Sequence, residues 1–352
     1  MLRNGEAMSD NLLEYSGLVT KTKAMSGRLL KEADYARLME YETVDAFLGF
    51  LKESYGYAPI FAARDEIAHR GQVETVIRAS LYADYKKLYQ FAHGEQRAGL
   101  ELIFFRYEID GLKECLKYAL SGDSAETAVD VSFLEEYAGF DVRSAAAPLG
   151  HRQGRQGEAH QPALPARSME ELIAAVTGTA YERLFRHMAE QETIEYADAA
   201  VTLDIYYYKT AWKKKEKLRD PLTRNLYDKL LGTEIDWQNR MWIYRLKRFY
   251  GMNGTELASH LIPITCHMKK DELRKMTETD GMEVFSGIEE ESGQRALEKA
   301  YTELCKKYPM SLAPVFKYLY DKEQEIDHLT SILEGIRYQL LPGDIRKMVF
   351  AM

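Results

Sequence analysis

A chain of 352 residues with 46% hydrophobic and 29% charged side chains can bury a sizeable core, as two domains or as one elongated multi-unit body, and is not a disordered segment. Its formal net charge of -8 supplies no field that would gather polyanions, which disfavours general nucleic-acid binding. Cys115, Cys266 and Cys305 are odd in number and lack CxxC spacing, so they argue against a disulfide framework or structural zinc and read as small core residues in a reduced compartment.

Met1 to Glu6 contains no apolar stretch of signal-peptide length, and no run approaches the roughly 18 apolar residues of a membrane span, which predicts a cytoplasmic protein. A helical pattern begins at about Asn11, and period-3.6 patterning then dominates almost throughout, so the fold is expected to be all-α. Thr43-Val44-Asp45-Ala46-Phe47-Leu48, ahead of Ser54-Tyr55, reads as a capped amphipathic helix ending at an aromatic. Residues 143–167, with Pro148, Gly150, Gly154, Gly157, Pro162 and Pro165, are rich in breakers and read as a loop or linker. Ser168-Met169-Glu170-Glu171-Leu172-Ile173 before Thr179-Ala180-Tyr181 repeats the capped element, and Met268 to Leu273 is a degraded third copy.

The tripeptide Glu-Ile-Asp occurs three times, as Glu108-Ile109-Asp110, Glu234-Ile235-Asp236 and Glu325-Ile326-Asp327. Each is expected to open a helix, with the acidic pair in the first turn, where the helix macrodipole favours it by roughly 0.3–1 kcal/mol per charge. The apolar positions that follow keep step: Ile109, Leu112, Leu116 and Ala119; Ile235, Asn239, Trp242, Leu246 and Phe249; Ile326, Leu329, Leu333, Ile336 and Leu340. One buried stripe is thus predicted three times over. A stop and restart follow at Asn253-Gly254, at Pro342-Gly343 and, more loosely, at Gly122-Asp123-Ser124.

The chain holds no GxxxxGK[ST], no GxGxxG after a strand, no HExxH and no GxSxG, and no cofactor is implied. His260, Cys266 and His267 are the closest grouping of metal-ligand types, without a second ligand pair at metal spacing. Glu289-Glu290-Glu291 and Glu135-Glu136 read as solvated faces, because adjacent helical residues point apart. Lys213 to Arg219, near Tyr206-Tyr207-Tyr208 and Trp212, is the best basic patch and reads as a solvated helix face or a contact for an acidic partner.

Tyr15 to Val19, Arg28-Leu29-Leu30, the block Glu234 to Arg240 with Trp242 to Lys247 and Leu261-Ile262-Pro263, and the C-terminal Lys322 to Gly335 together resemble the C subunit of prokaryotic V/A-type ATPases, called d in eukaryotes. Residues 143–167 depart from the family, which would continue there as helix. The resemblance implies a funnel of three similar helical bundles around a pseudo-threefold axis, at 1–142, 143–262 and 263–352. It implies a non-catalytic, peripheral subunit at the cytoplasmic face, in one copy between rotor shaft subunits of D and F type and the membrane proteolipid ring. Glu108, Asp110, Glu234, Asp236, Arg240, Glu325 and Asp327 are the expected structural residues of the repeat. The aspartates are expected at equivalent positions, paired with Arg or Lys and not carrying protons. A general helical scaffold and a helical enzyme with a pocket of dispersed residues are the competing classes.

Overall fold

Period-3.6 patterning becomes fifteen α-helices and no strand among the described residues of the computed structural model, which describes residues 2–62, 70–121, 168–191, 193–279 and 290–350. The chain divides into two compact units, Met1–His93 with Glu289–Met352, and Gly94–Ile288. Numbered in chain order, the first unit holds α1 (Leu2–Ser26), α2 (Glu32–Met39), α3 (Val44–Glu53), α4 (Ala58–Ala62), α5 (Arg70–Phe91), α13 (Glu290–Lys307), α14 (Ala313–Arg337) and α15 (Pro342–Phe350). The second holds α6 (Glu95–Ser121), α7 (Met169–Ala175), α8 (Glu182–Ala189), α9 (Tyr196–Lys215), α10 (Pro221–Tyr250), α11 (Gly254–Ser259) and α12 (Lys270–Glu278). The expected linker at 143–167 and the pair Glu135-Glu136 lie outside the described residues.

Local chemistry explains where several helices begin. Thr43 and Ser168 stand in extended backbone and accept the amides of Ala46 and Glu171, each at 3.3 Å, so both predicted caps are present. Asp220 accepts the amides of Leu222 and Thr223, and Pro221 occupies the first helical position, which starts α10 well before its Glu-Ile-Asp copy. The structure thereby corrects one expectation. Glu108, Glu234 and Glu325 lie in the middle of α6, α10 and α14, out of reach of the helix ends, so the macrodipole does not account for their charges. Helix α1 also begins earlier than expected, at Leu2 instead of about Asn11.

In the first unit α14 is the axis, packed by α1, α2, α3, α5, α13 and α15. It is enclosed nearly all round because it has neighbours nearly all round, burying Phe316, Leu319, Ile326, Leu329, Leu333 and Ile336 together with Lys322 and Glu325. Helix α1 contributes Tyr15, Leu18, Val19 and Met25. Each such side chain contributes about 1.5–3 kcal/mol by leaving water. In the second unit α6 packs on α7 and α9, α10 packs on α9 and α12, and Leu112, Leu116, Leu203, Ala211 and Ile235 lie in its core. The predicted stripes are buried up to Ala119, Trp242 and Ile336, but Phe249 and Leu340, expected to extend two of them, are exposed.

Helix α14 ends in a turn through Gln339, at φ 54°, where the Leu340 amide returns to the Gly335 carbonyl at 2.9 Å and the Gln339 amide to Ile336 at 3.1 Å. That turn brings α15 back onto α14 so closely that a Cβ on Gly335 would stand 2.7 Å from Ile345 Cγ1. Overpacking of this kind costs about 1–3 kcal/mol, against the roughly 1 kcal/mol that alanine gains over glycine within a helix. Gly335→Ala is therefore expected to lower the thermal midpoint, and to do so far less when Ile345→Ala has already opened the space. Equal losses in the two backgrounds, read from thermal unfolding by circular dichroism, would refute the close-packing account.

Candidate functional site

The tripeptide glutamates, unlike the aspartates, meet similar partners, with Glu325 and Glu108 buried and Glu234 partly exposed. In the first unit Glu325 is 3% exposed on α14 and accepts the Tyr57 hydroxyl at 2.8 Å, the Lys322 ammonium at 2.6 Å and the Leu30 amide at 2.5 Å. Lys322, equally enclosed, also lies 3.9 Å from the centre of the Tyr57 ring. In the second unit Glu108, 2% exposed on α6, is hydrogen-bonded to Tyr181, and Lys214 lies within its field while stacking 3.9 Å from the Phe105 ring centre. Glu234, on α10, pairs with Arg106 and accepts the Tyr208 hydroxyl at 3.1 Å. Every copy therefore sets a glutamate against a tyrosine hydroxyl, with a base paired to Glu325 and Glu234 and a base within the field of Glu108.

The electrostatics follow from that enclosure. Burial pushes the phenols of Tyr57, Tyr181 and Tyr208 far above their ordinary value, and the adjacent carboxylates push the same way, so each stays a hydroxyl and donates. Burial draws Lys214 down, opposed by Glu108 and Glu101. A carboxylate enclosed by committed donors is arranged to hold helices together.

The three aspartates do not share an environment. Asp236 is 7% exposed and accepts three consecutive backbone amides, Cys266 at 3.0 Å, His267 at 2.5 Å and Met268 at 2.9 Å. One turn on, fully buried Asn239 closes a ring with the same segment, accepting the Ile262 amide at 2.9 Å and donating to the carbonyls of Ile262 and Ile264. Asp110 is half-exposed, 3.7 Å from Lys113, and Asp327 is exposed. Arg240 joins Glu272 of α12 at 2.9 Å across a partly exposed surface. Asp236 and Asn239 thus staple residues 262–268 to α10, which is why Cys266 and His267 sit beside an acid. Burial first, then the Asp236 charge, pushes the Cys266 thiol up to about 12, away from the thiolate that binds metals. No group of three or more His, Cys, Asp and Glu gathers at metal-binding positions among the described residues.

The basic run is a solvated face with one exception: Lys213, Lys214, Glu216, Lys217 and Arg219 are exposed, while Lys215 is 1% exposed, paired with Asp228 and Glu216 and stacked 3.8 Å from the Trp212 ring centre, and Tyr207 and Tyr208 beside the run are buried. Tyr55, matched in sequence with Tyr181, is 83% exposed, and the structural counterpart of Tyr181 is Tyr57. A signal for that pairing is present: Tyr57 and Phe61 repeat the spacing of Tyr181 and Phe185, and all four are buried. The bases Lys322, Arg106 and Lys214 carry no comparable signal, since they come from different positions relative to each glutamate.

His328 follows the third tripeptide and lies edge-on to Tyr35 and Phe350, both at 5.4 Å between ring centres. Its Nδ1 is buried and meets no hydrogen-bond partner among the described residues. Burial holds the imidazole below its ordinary value of 6.5, with Glu325 opposing in part. When pH falls the unfolded chain binds this proton before the folded one, so the stability tied to neutral His328 is full above about pH 6.5 and declines below it. The thermal midpoint is expected to fall less between about pH 8 and pH 5.5 in His328→Phe than in the unaltered protein; parallel curves would exclude a His328 contribution.

Glu325→Gln leaves Lys322 enclosed without its counter-charge and turns a donor toward the Leu30 amide, an expected cost of about 3 kcal/mol. Asp327→Asn, on an exposed position, is expected within about 0.5 kcal/mol of the parent. Urea unfolding of the two variants decides between them, and equal losses would show that the tripeptide acids are interchangeable.

The model of the family described as ATP synthase (C/AC39) subunit matches residues 18–348. The C subunit of the A-type ATP synthase of Methanosphaera stadtmanae is 23% identical, over 94% of this chain and 86% of its own length. That of Methanosarcina acetivorans is 23% identical over 95% and 92%, and that of Archaeoglobus fulgidus 21% identical over 96% and 97%. No helix among the described residues is long and apolar enough to cross a membrane. The chain belongs to the ATP synthase (C/AC39) subunit family.

Proposed function

We propose that this chain is a non-catalytic central-stalk subunit of a V/A-type rotary ATPase or ATP synthase. It joins rotor shaft subunits of D and F type to the membrane proteolipid ring and passes torque between them, coupling ATP turnover to proton or sodium transport. The observation that carries the reading is the family match over nearly the whole chain. The identity of the relatives, each the C subunit of an A-type ATP synthase, supports the same reading.

Within this reading the chain is a peripheral, single-copy member of the complex at the cytoplasmic face. Its three repeats correspond to bundles at 1–142, 143–262 and 263–352 around a pseudo-threefold axis. The glutamate clusters support a mechanical role, because three long helices, each pinned at mid-length by a charged hydrogen-bonded contact, suit a body that carries load. Catalysis falls to other subunits.

Affinity capture of the tagged full chain from gently solubilised membranes of its own cell tests the proposal. Mass spectrometry is expected to find shaft subunits, proteolipid and the nucleotide-binding head together. Recovery of soluble metabolic proteins alone would overturn it.

A further inference from the structure

Helix α15 doubles back along α14 and is seated on it at two heights. Near the turn, Ile345 fills the space over Gly335. At the far end Phe350 meets His328, which stands two helical turns before Gly335 on the same face of α14. Tyr35 of α2 completes the group, 5.4 Å from His328 and 6.3 Å from Phe350 between ring centres, and all three ring pairs are edge-on. Three helices of one unit thus meet at a single imidazole, whose Nδ1 is enclosed without a hydrogen-bond partner among the described residues. In the imidazolium both nitrogens carry hydrogen, whichever carried it before, so a charged N–H then faces an enclosure that offers it no acceptor.

We propose that His328 is an acid-sensitive latch for α15: the neutral imidazole keeps that helix seated on α14 and α2, and protonation releases it from Phe350 onward while the rest of the unit stays folded. The surrounding charges do not cancel the effect. On α14, Glu325 lies one turn earlier and attracts a cation, but burial outweighs it and holds the imidazole below its ordinary value. On α2, burial keeps Tyr35 an un-ionised phenol, Asp34 accepts the Lys31 amide at 2.8 Å and Arg37 lies over the Phe50 ring. On α15, Lys347 turns to Asp344 at 2.8 Å and Arg346 reaches Glu32 of α2 at 3.9 Å. That last pair is exposed on both sides and contributes little, so the seat of α15 is mainly apolar and its far end rests on the ring group. A nine-residue helix seated on two neighbours also opens at lower cost than the unit as a whole. Release admits water to His328, which then takes up a proton as a free histidine does, so the released state gains as pH falls through about 6.5. The gain in the ratio of released to seated helix is up to about tenfold at about pH 5.5 and vanishes near pH 8.

Hydrogen–deuterium exchange of the full chain tests the latch, read as protection factors so that the intrinsic pH dependence of exchange divides out. From about pH 8 to about pH 5.5, residues 345–350 are expected to lose up to about tenfold in protection, and α14 from Leu329 to Leu333 less than about twofold. His328→Phe keeps a ring and removes the titrating group, and is expected to hold α15 protected and level across the range. Phe350→Ala is expected to loosen α15 already at about pH 8 and to leave little further loss in acid, because its imidazole can take a proton without release. A cooperative thermal transition at about pH 8 shows that each variant folds, and either variant alone decides the question. An acid loss in α15 that persists undiminished in His328→Phe or in Phe350→Ala, equal losses in α14 and α15, or protection of α15 that rises in acid would each overturn the latch. The contacts all lie within one unit, so none of these outcomes bears on the rotor reading.

Discussion

Glu325 accepts hydrogen bonds from Leu30, Tyr57 and Lys322 inside the first unit, and that one carboxylate fixes the register in which the N-terminal helices pack on α14. Leu30 and Glu325 are 295 residues apart, so the contact closes a loop that apolar burial alone would leave free to settle in several registers. A desolvated carboxylate has no such freedom. With both oxygens facing donors it is stable in one arrangement, and displacement by even half a helical turn strands both it and Lys322 without partners. Helices α1 and α2, the segment leading into α4, and α14 are thereby fixed relative to one another.

The same device at Glu108 and Glu234 shows what the repeat repeats. Net stability is a poor reason for it, since buried ion pairs often do no better than apolar residues of equal volume. Direction is a better one: a tyrosine hydroxyl satisfies a carboxylate only within hydrogen-bonding distance and angle, so each cluster favours one rotation and height of its helix over others. Asp236 extends the principle from side chains to backbone by holding three successive amides of a segment that has no helix of its own at those residues. Among the three aspartates that is a specialised role, and it explains why equal sequence positions here do not have equal surroundings.

Features legible in the sequence are those whose partners are near in sequence. Thr43 and Ser168 can be read as caps because a hydroxyl and an amide three residues on suffice to make one. The three long helices can be found because Glu-Ile-Asp recurs with an apolar stripe behind it. Which acid matters is not legible, because the donors to Glu325 lie at Leu30 and Tyr57, and nothing in the tripeptide ranks its glutamate above its aspartate. Lys215 reads as surface because a run of lysines usually is; Trp212 and Asp228, brought up by α9 and α10, make it core. Phe249 and Leu340 read as core because the period places them there, but the stripe outruns the helices that cover it.

The pins also bear on how a helical body could carry load. Two helices joined only through apolar ridges and grooves can shift by a turn with similar area buried before and after, which is how such interfaces switch between states. A load-bearing body needs the reverse. In the first unit the hydroxyl of Tyr57 and the ammonium of Lys322 meet Glu325 near the middle of α14, and α15 is held against Gly335 near its end, so α14 is fixed at two heights along its length. Sliding that helix would break a buried charge cluster at one height and drive Ile345 into backbone at the other. Force applied to the turn after α14, where Leu340 and Leu341 stand open, is therefore passed to the unit as a whole and not absorbed as slip between its helices.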